Sequence, residues 1–163
     1  MLKHIVLTAA LLSVATPGAI AQNADQIASA KSGKSCETCN LFQADFSYRK
    51  ITGVSFARAR LRQSNMTLAI LDDVSFRGAN LSIANMYGVR LTGASLKDAD
   101  LTDAILVGGS FESTNFEGAV LKNTNISGAE MSRARGLTQG QLNEACGDAS
   151  TVLPSGLNVQ HCR

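Results

Sequence analysis

The chain has no tryptophan and only two prolines, Pro17 and Pro154. Nothing in the long stretch between them forces a break in a backbone ladder. Histidine is nearly absent, with His4 near the start and His161 near the end. That excludes an imidazole-based metal cluster or a Ser–His–Asp relay. HExxH, GxSxG and P-loop patterns are missing as well. Charge is sparse and balanced: fifteen Lys and Arg against thirteen Asp and Glu, a net of +2. Without Lys3 the balance is fourteen against thirteen, a net of +1. Neither the basic footprint of a nucleic-acid binder nor the charge of a strongly acidic mimic is present. Cysteine is absent between Cys39 and Cys146.

The one sustained apolar run, Ile5–Val14, is about half the roughly 20 residues a membrane helix needs. It follows a basic start, Lys3 and His4, and is broken by Pro17-Gly18. Ala19-Ile20-Ala21 then supplies a small-x-small cleavage site. Residues 1–21 read as a secretory signal peptide, and residues 22–35 as a flexible leader. The expected destination is the periplasm or the extracellular space, with no stable membrane insertion after cleavage.

What the sequence has in abundance is order at an unusual period. Every fifth residue from Leu41 to Met131, nineteen positions in all, is a large apolar side chain. Neither a 3.6-residue helix nor a two-residue strand repeats at five, so the pattern marks a repeat architecture. Two residues earlier lies a second regular position, nearly always small: Ala44, Ala59, Ser64, Ala69, Ala79 and so on to Ala129. A large and a small inward residue in every five implies a short straight face followed by a crowded corner. Arg49 is the misfit in the small column. A buried unpaired guanidinium costs several kcal/mol, so the chain there is expected to be irregular, with Arg49 escaping at the open end. Ile70 and Ile105 break the polar rule on the outside.

The motif Ala-(Asp/Asn)-Leu is almost pure at Ala79-Asn80-Leu81, Ala84-Asn85-Met86 and Ala99-Asp100-Leu101. Over residues 36–136 the chain resembles the pentapeptide-repeat family. The resemblance implies an all-β fold, a right-handed quadrilateral β-helix with four pentapeptides per coil and about five coils. At about 4.8 Å per strand spacing the rod is roughly 24 Å long. Residues twenty apart then stack. Leu41, Leu61, Leu81, Leu101 and Leu121 form one column, and Phe56, Phe76, Leu96 and Phe116 another. Outside, Ser55, Ser75 and Ser95, and Asn65, Asn85 and Asn125, stack where like side chains can bond to each other.

Cys36, Cys39, Cys146 and Cys162 bracket the repeat. Export favours disulfides, and four cysteines allow three pairings. A rod of the implied length keeps its ends farther apart than the roughly 7 Å limit between disulfide Cα atoms. The expected pairs are therefore Cys36–Cys39 and Cys146–Cys162. Residues 137–163 form a C-terminal cap. Thr138-Gln139-Gly140-Gln141 is a capping box that predicts a short helix, Gln139–Cys146, ended by Gly147. Leu137 and Leu142 are placed to lie over the last coil, and Pro154-Ser155-Gly156 forms a turn.

No residue set calls for a metal or cofactor. Asp72-Asp73 and Asp98, Asp100 and Asp103 are acids expected on the outer face of such a repeat. Two surfaces stand out instead. Arg58, Arg60 and Arg62 gather on one corner near Arg77 and Lys50, a guide for an acidic partner. Leu68, Tyr87, Ile105 and Val107 come together when the chain is stacked by twenties, an apolar contact patch.

The leading reading is a non-enzymatic exported interaction or structural module. Its partner is another envelope protein or a second copy, and no nucleic acid is expected. Two alternatives stand beside it. Members of the resembled family that confer quinolone resistance bind DNA gyrase through an acidic rod, from which this chain departs by its export signal and near-neutral charge. Cys36-Glu37-Thr38-Cys39 has redox CxxC spacing, but that motif normally opens a helix in a βαβ unit.

Overall fold

The computed structural model describes residues 22–163, so residues 1–21, read from sequence as a signal peptide, lie outside the described residues. From Asn40 to Arg135 the backbone bridges to itself in parallel at a constant separation of twenty. Four columns of bridges result. One runs Asn40, Arg60, Asn80, Asp100, Val120, and the next Asp45, Asn65, Asn85, Ile105, Asn125. The third runs Lys50, Ile70, Arg90, Ser110, Glu130, and the fourth Ser55, Ser75, Ser95, Asn115, Arg135. This is a four-sided β-solenoid. Each pentapeptide gives only one bridging residue before the chain turns, so the sides are rows of single bridges rather than long strands.

The corners have a backbone signature. All nineteen residues at every fifth position from Thr38 to Gly128 have positive φ, and twelve of them are not glycine. The four-residue turns close by a bond such as Ala44 N–H to Leu41 C=O, 3.0 Å. Positive φ at the third residue, here Gln43 at 54°, is what a type II turn requires. Asn, Asp and Ser side chains in the bridging columns support the same turns. Asn65, Asn85 and Asn125 Oδ1 accept from the N–H groups of Thr67, Tyr87 and Ser127. The expectation that these stacked residues bond to one another is thereby corrected. Their acceptors go to the N–H two residues on, an Asx turn that satisfies the start of each corner.

Inside, the large and small columns are buried, and Phe46, Phe56 and Phe76 stack at 5.9 and 5.7 Å between ring centroids. Thr114 and Thr124 enter the small column because their hydroxyls donate to Leu91 and Leu101 carbonyls, at 2.6 and 2.8 Å. Arg49 is exposed, and the irregularity expected there falls one corner later, where Ile51–Val54 lacks the closing bond that most corners have; Arg49 itself stays in the ladder. Its N–H reaches Phe46 C=O at 3.1 Å and its C=O receives Ile70 N–H at 2.8 Å. The guanidinium leaves the interior by side-chain direction alone.

Both ends are closed. Where the sequence reading expects a flexible leader, helix α1 spans Ala24–Lys31. Asn23 caps it, accepting from Gln26 N–H, with Asp25 in the first turn and Lys31 in the last. Ala30 is buried and Ile27 packs on the core. Gln26 Oε1 accepts Asn40 N–H at 2.7 Å and Ser35 Oγ accepts Ser55 N–H at 2.9 Å, satisfying two of the first ladder edges.

At the other end, α2 is shorter than expected, Gln139–Leu142, with its capping box formed by Thr138 and Gln141. It stops early because the chain re-enters the ladder: Cys146 bridges Asn125 and Val152 bridges Glu130. Leu142 and Ala145 fill the interior above the last repeat. Gln141 Nε2 caps the Phe116 and Ala119 carbonyls at 2.9 and 2.8 Å. A turn at Pro154–Leu157 then brings back β2, Gln160–His161, parallel to β1, Cys146–Gly147.

Candidate interaction site

Stacking by twenty decides which outward residues meet. Leu68 N–H donates to Tyr87 C=O at 2.8 Å, and Gly88 N–H to Val107 C=O at 2.8 Å. Leu68, Tyr87 and Val107 thus sit on one corner of successive rows, with Ile105 two residues before Val107 on the adjoining side. The Leu68 side chain lies across Gly88: a Cβ there would stand 2.6 Å from Leu68 Cδ2. The four residues singled out from sequence therefore form one strip. Leu68, Tyr87 and Ile105 are 46%, 50% and 43% exposed, and Val107 is half-buried. The strip is longer than expected. Tyr48, 75% exposed, occupies the same corner twenty residues before Leu68. Its position was readable by the same arithmetic, and its corner φ of 58° turns it outward.

The arginines are arranged differently from the expectation. Arg60 stands in a bridging column, while Arg58 and Arg62 occupy the corners on either side of it. They span one side of the solenoid rather than sharing a corner. Lys50 is in the opposite column, two sides away, because ten residues are half a turn. Arg77 does remain near Arg58, and the two line a depression of about 530 Å³ with Ala57, Gly78 and Asp98. The Arg60 guanidinium lies 5.2 Å from the Phe42 ring centroid, a cation–π contact. No carboxylate lies within ion-pair distance of Arg58, Arg60 or Arg62 among the described residues. Elsewhere pairing is local: Arg90 holds Asp72, and Lys97 holds Glu117 at 2.7 Å. The Lys97 bond keeps the Glu117 carboxyl below its ordinary pKa, and the Asp72 bond raises Arg90.

The cysteines are joined as Cys36–Cys39 and Cys146–Cys162, with Cα atoms 5.5 and 4.8 Å apart. Cys36 and Cys39 are buried beside α1, so an attacking thiolate has little access to their sulfurs. His161 is exposed in β2. Among the described residues, no group of three or more His, Cys, Asp or Glu side chains is placed to hold a metal ion. No helix among them is long and apolar enough to cross a membrane.

A stack of four-sided turns with small residues inside its corners and a continuous apolar core defines a β-solenoid scaffold. The chain belongs to the pentapeptide-repeat family: the Pentapeptide repeats model matches in eight copies over residues 39–78, 69–108 and 106–135. Proteins of this family form right-handed β-helices and are generally structural or interaction modules rather than enzymes.

Three solved structures to which the chain is similar are also pentapeptide-repeat or resistance proteins. HetL, from the cyanobacterium Nostoc sp. strain PCC 7120, is involved in heterocyst differentiation regulation. It is 21% identical over 74% of this chain and 70% of its own, with a TM-score of 0.30. Rfr23, from the cyanobacterium Cyanothece 51142, is 21% identical over 79% and 97%, with a TM-score of 0.34. QnrB1, a plasmid-mediated fluoroquinolone resistance protein, is 17% identical over 76% of each chain, with a TM-score of 0.40. No curated protein matches.

Proposed function

We propose that this protein is a non-catalytic exported scaffold, a rod of about five coils closed by α2, that binds a partner protein through the apolar strip. The observation that carries this reading is the strip itself. Tyr48, Leu68, Tyr87, Val107 and Ile105 continue along one corner and its adjoining side, on a molecule whose core is already complete without them. Exposed apolar residues scattered singly need no explanation, but a contiguous line of them is a contact surface. Tyrosine suits that role, giving large rigid area at little entropic cost. Export is supported by the signal-like segment 1–21 and by two disulfides, which persist in oxidising compartments. The partner is accordingly another envelope or secreted protein.

The test is affinity capture from an envelope extract with the protein and with Tyr87→Ser/Val107→Ser. The double variant should retain the wild-type unfolding transition, since neither side chain is in the core. It should lose its captured partner at least tenfold, about 1.4 kcal/mol or more. Equal capture by both forms removes the strip from the function.

A further inference from the structure

One side of the solenoid carries opposite charge in the rows above and below its middle row, and the register of the charges is regular. Arg58, Arg60 and Arg62 form one row. Twenty residues on is a nearly neutral row, Gly78, Asn80 and Ser82, with Ile83 at its end. Forty residues on, in the same columns, stand Asp98, Asp100 and Thr102, with Asp103 beside it. We propose that a second copy of this chain docks on this side antiparallel, with the two-fold axis along the Asn80 row.

The geometry follows from the columns. Rotation about an axis along the Asn80 row keeps each column in place and exchanges the rows above and below it. Arg58 then faces the other copy's Asp98, Arg60 its Asp100, and Arg62 its Thr102 with Asp103 one residue beyond, and each contact occurs twice. The interface is isologous, as two-fold pairing demands. Ile83, 40% exposed, meets its own copy on the axis row. The depression lined by Arg58, Arg77, Gly78 and Asp98 also lies there, open to the incoming Asp98 carboxylate. Asp98 is available to a second cation, because its contact to Arg77 is long, 4.0 Å, and both groups are more than half exposed.

The column beyond the corner adds little repulsion: Glu37 is turned to Ser55 Oγ at 2.7 Å, and Glu117 is held by Lys97. The two Arg77 side chains approach near the axis, each with its own Asp98. A parallel arrangement, by contrast, sets arginine row against arginine row.

This surface lies on a different side from the apolar strip, so the two readings stand or fall separately. The side measures at most roughly 24 Å by 16 Å from strand spacing and full extension, hence no more than about 800 Å² buried in total. That is below the roughly 1,600 Å² of a standard stable interface, so association is weak and electrostatic. It should weaken steeply as the Debye length falls from about 10 Å at 0.1 M salt to about 3 Å at 1 M.

The experiment is sedimentation equilibrium of the purified protein at both salt concentrations, with two charge-reversed forms. One carries Arg58→Glu and Arg62→Glu, and the other Asp98→Lys and Asp103→Lys. Wild type should self-associate at low salt and not at high salt. Each reversed form alone should be monomeric, with an unfolding transition showing that it is folded. Mixed together they should form a one-to-one complex at least as tight as the wild-type dimer, since every facing pair is again opposite in sign. A wild type that stays monomeric at low salt, association indifferent to the reversals, or a mixture that does not associate each overturns the proposal. Loss of self-association in Tyr87→Ser/Val107→Ser would likewise overturn it, by moving the contact to the strip.

Discussion

Gly109 shows how a single residue answers its neighbour. It sits in the small inward column, where most positions are Ala, and a Cβ there would stand 2.7 Å from Phe111 Cε2. Phe111 is itself the aromatic exception in a column that otherwise holds Ile51, Leu71, Leu91 and Met131. Gly109→Ala should therefore cost about 1–3 kcal/mol by overpacking. Adding Phe111→Leu should recover most of that, and urea unfolding of the single and double variants measures both.

Ser64 presents the opposite case. Its hydroxyl is buried and finds no partner, unlike Thr114 and Thr124. Ala44, Ala84 and Ala104 fill the same column. Ser64→Ala should raise the urea-extrapolated stability by about 1 kcal/mol, since an unmade buried bond costs about 1–3. No change would mean that the hydroxyl carries no such cost.

At the scale of elements, what could be read from the sequence depends on whether the repeat dictated it. The columns were legible because a five-residue period with four members per turn leaves no choice of register. Tyr48 was legible in principle, one further step of twenty. The positive φ at the corners was not foreseen. Seven of those nineteen residues are glycine, three Asp and one Asn, a bias toward the left-handed region that the arginine, leucine and tyrosine corners mask. Helix α1 was missed although Asn23, Asp25 and Lys31 mark its ends, because Ile27 and Ala30 gain a buried face only once the solenoid end exists. α2 was drawn too long because its capping box fixes a start and not a stop.

The closures differ in strength. Cys146–Cys162 spans a sequence separation of 16 and Cys36–Cys39 only 3. Chain entropy gives about 3 kcal/mol for a loop of about 15 residues and about 2 kcal/mol for one of about four. Cys146→Ala/Cys162→Ala should thus lose more stability than Cys36→Ala/Cys39→Ala. It should also abolish hydrogen-exchange protection of the backbone N–H at position 162, which in the native chain bonds Gly147 C=O. Equal losses in the two variants would contradict this order.

Over the whole molecule, acid is the expected weakness. Asp45, Glu117, Glu130 and Asp148 all have carboxyls held below their ordinary values. The Ser150 hydroxyl does most for Asp148, with help from Gly128 N–H and Thr151, and so ties the tail to the last repeat. A carboxyl depressed in the folded state contributes stability above its unfolded pKa and loses it as the pH falls through the folded one. Stability should be flat near neutrality and fall below about pH 4. Asp148→Asn should be less stable than wild type at neutral pH and lose less on acidification. Denaturant midpoints across that range check both.

The ends have one further consequence. Parallel segments stacked about 4.8 Å apart, like over like, are the geometry of a cross-β fibril, whose exposed edge recruits the next layer. Here Gln26 and Ser35 occupy edge donors at one end, and β2 covers the ladder at the other. A molecule cut back to its repeats would present those edges bare, whereas here segments outside the repeat already lie across them.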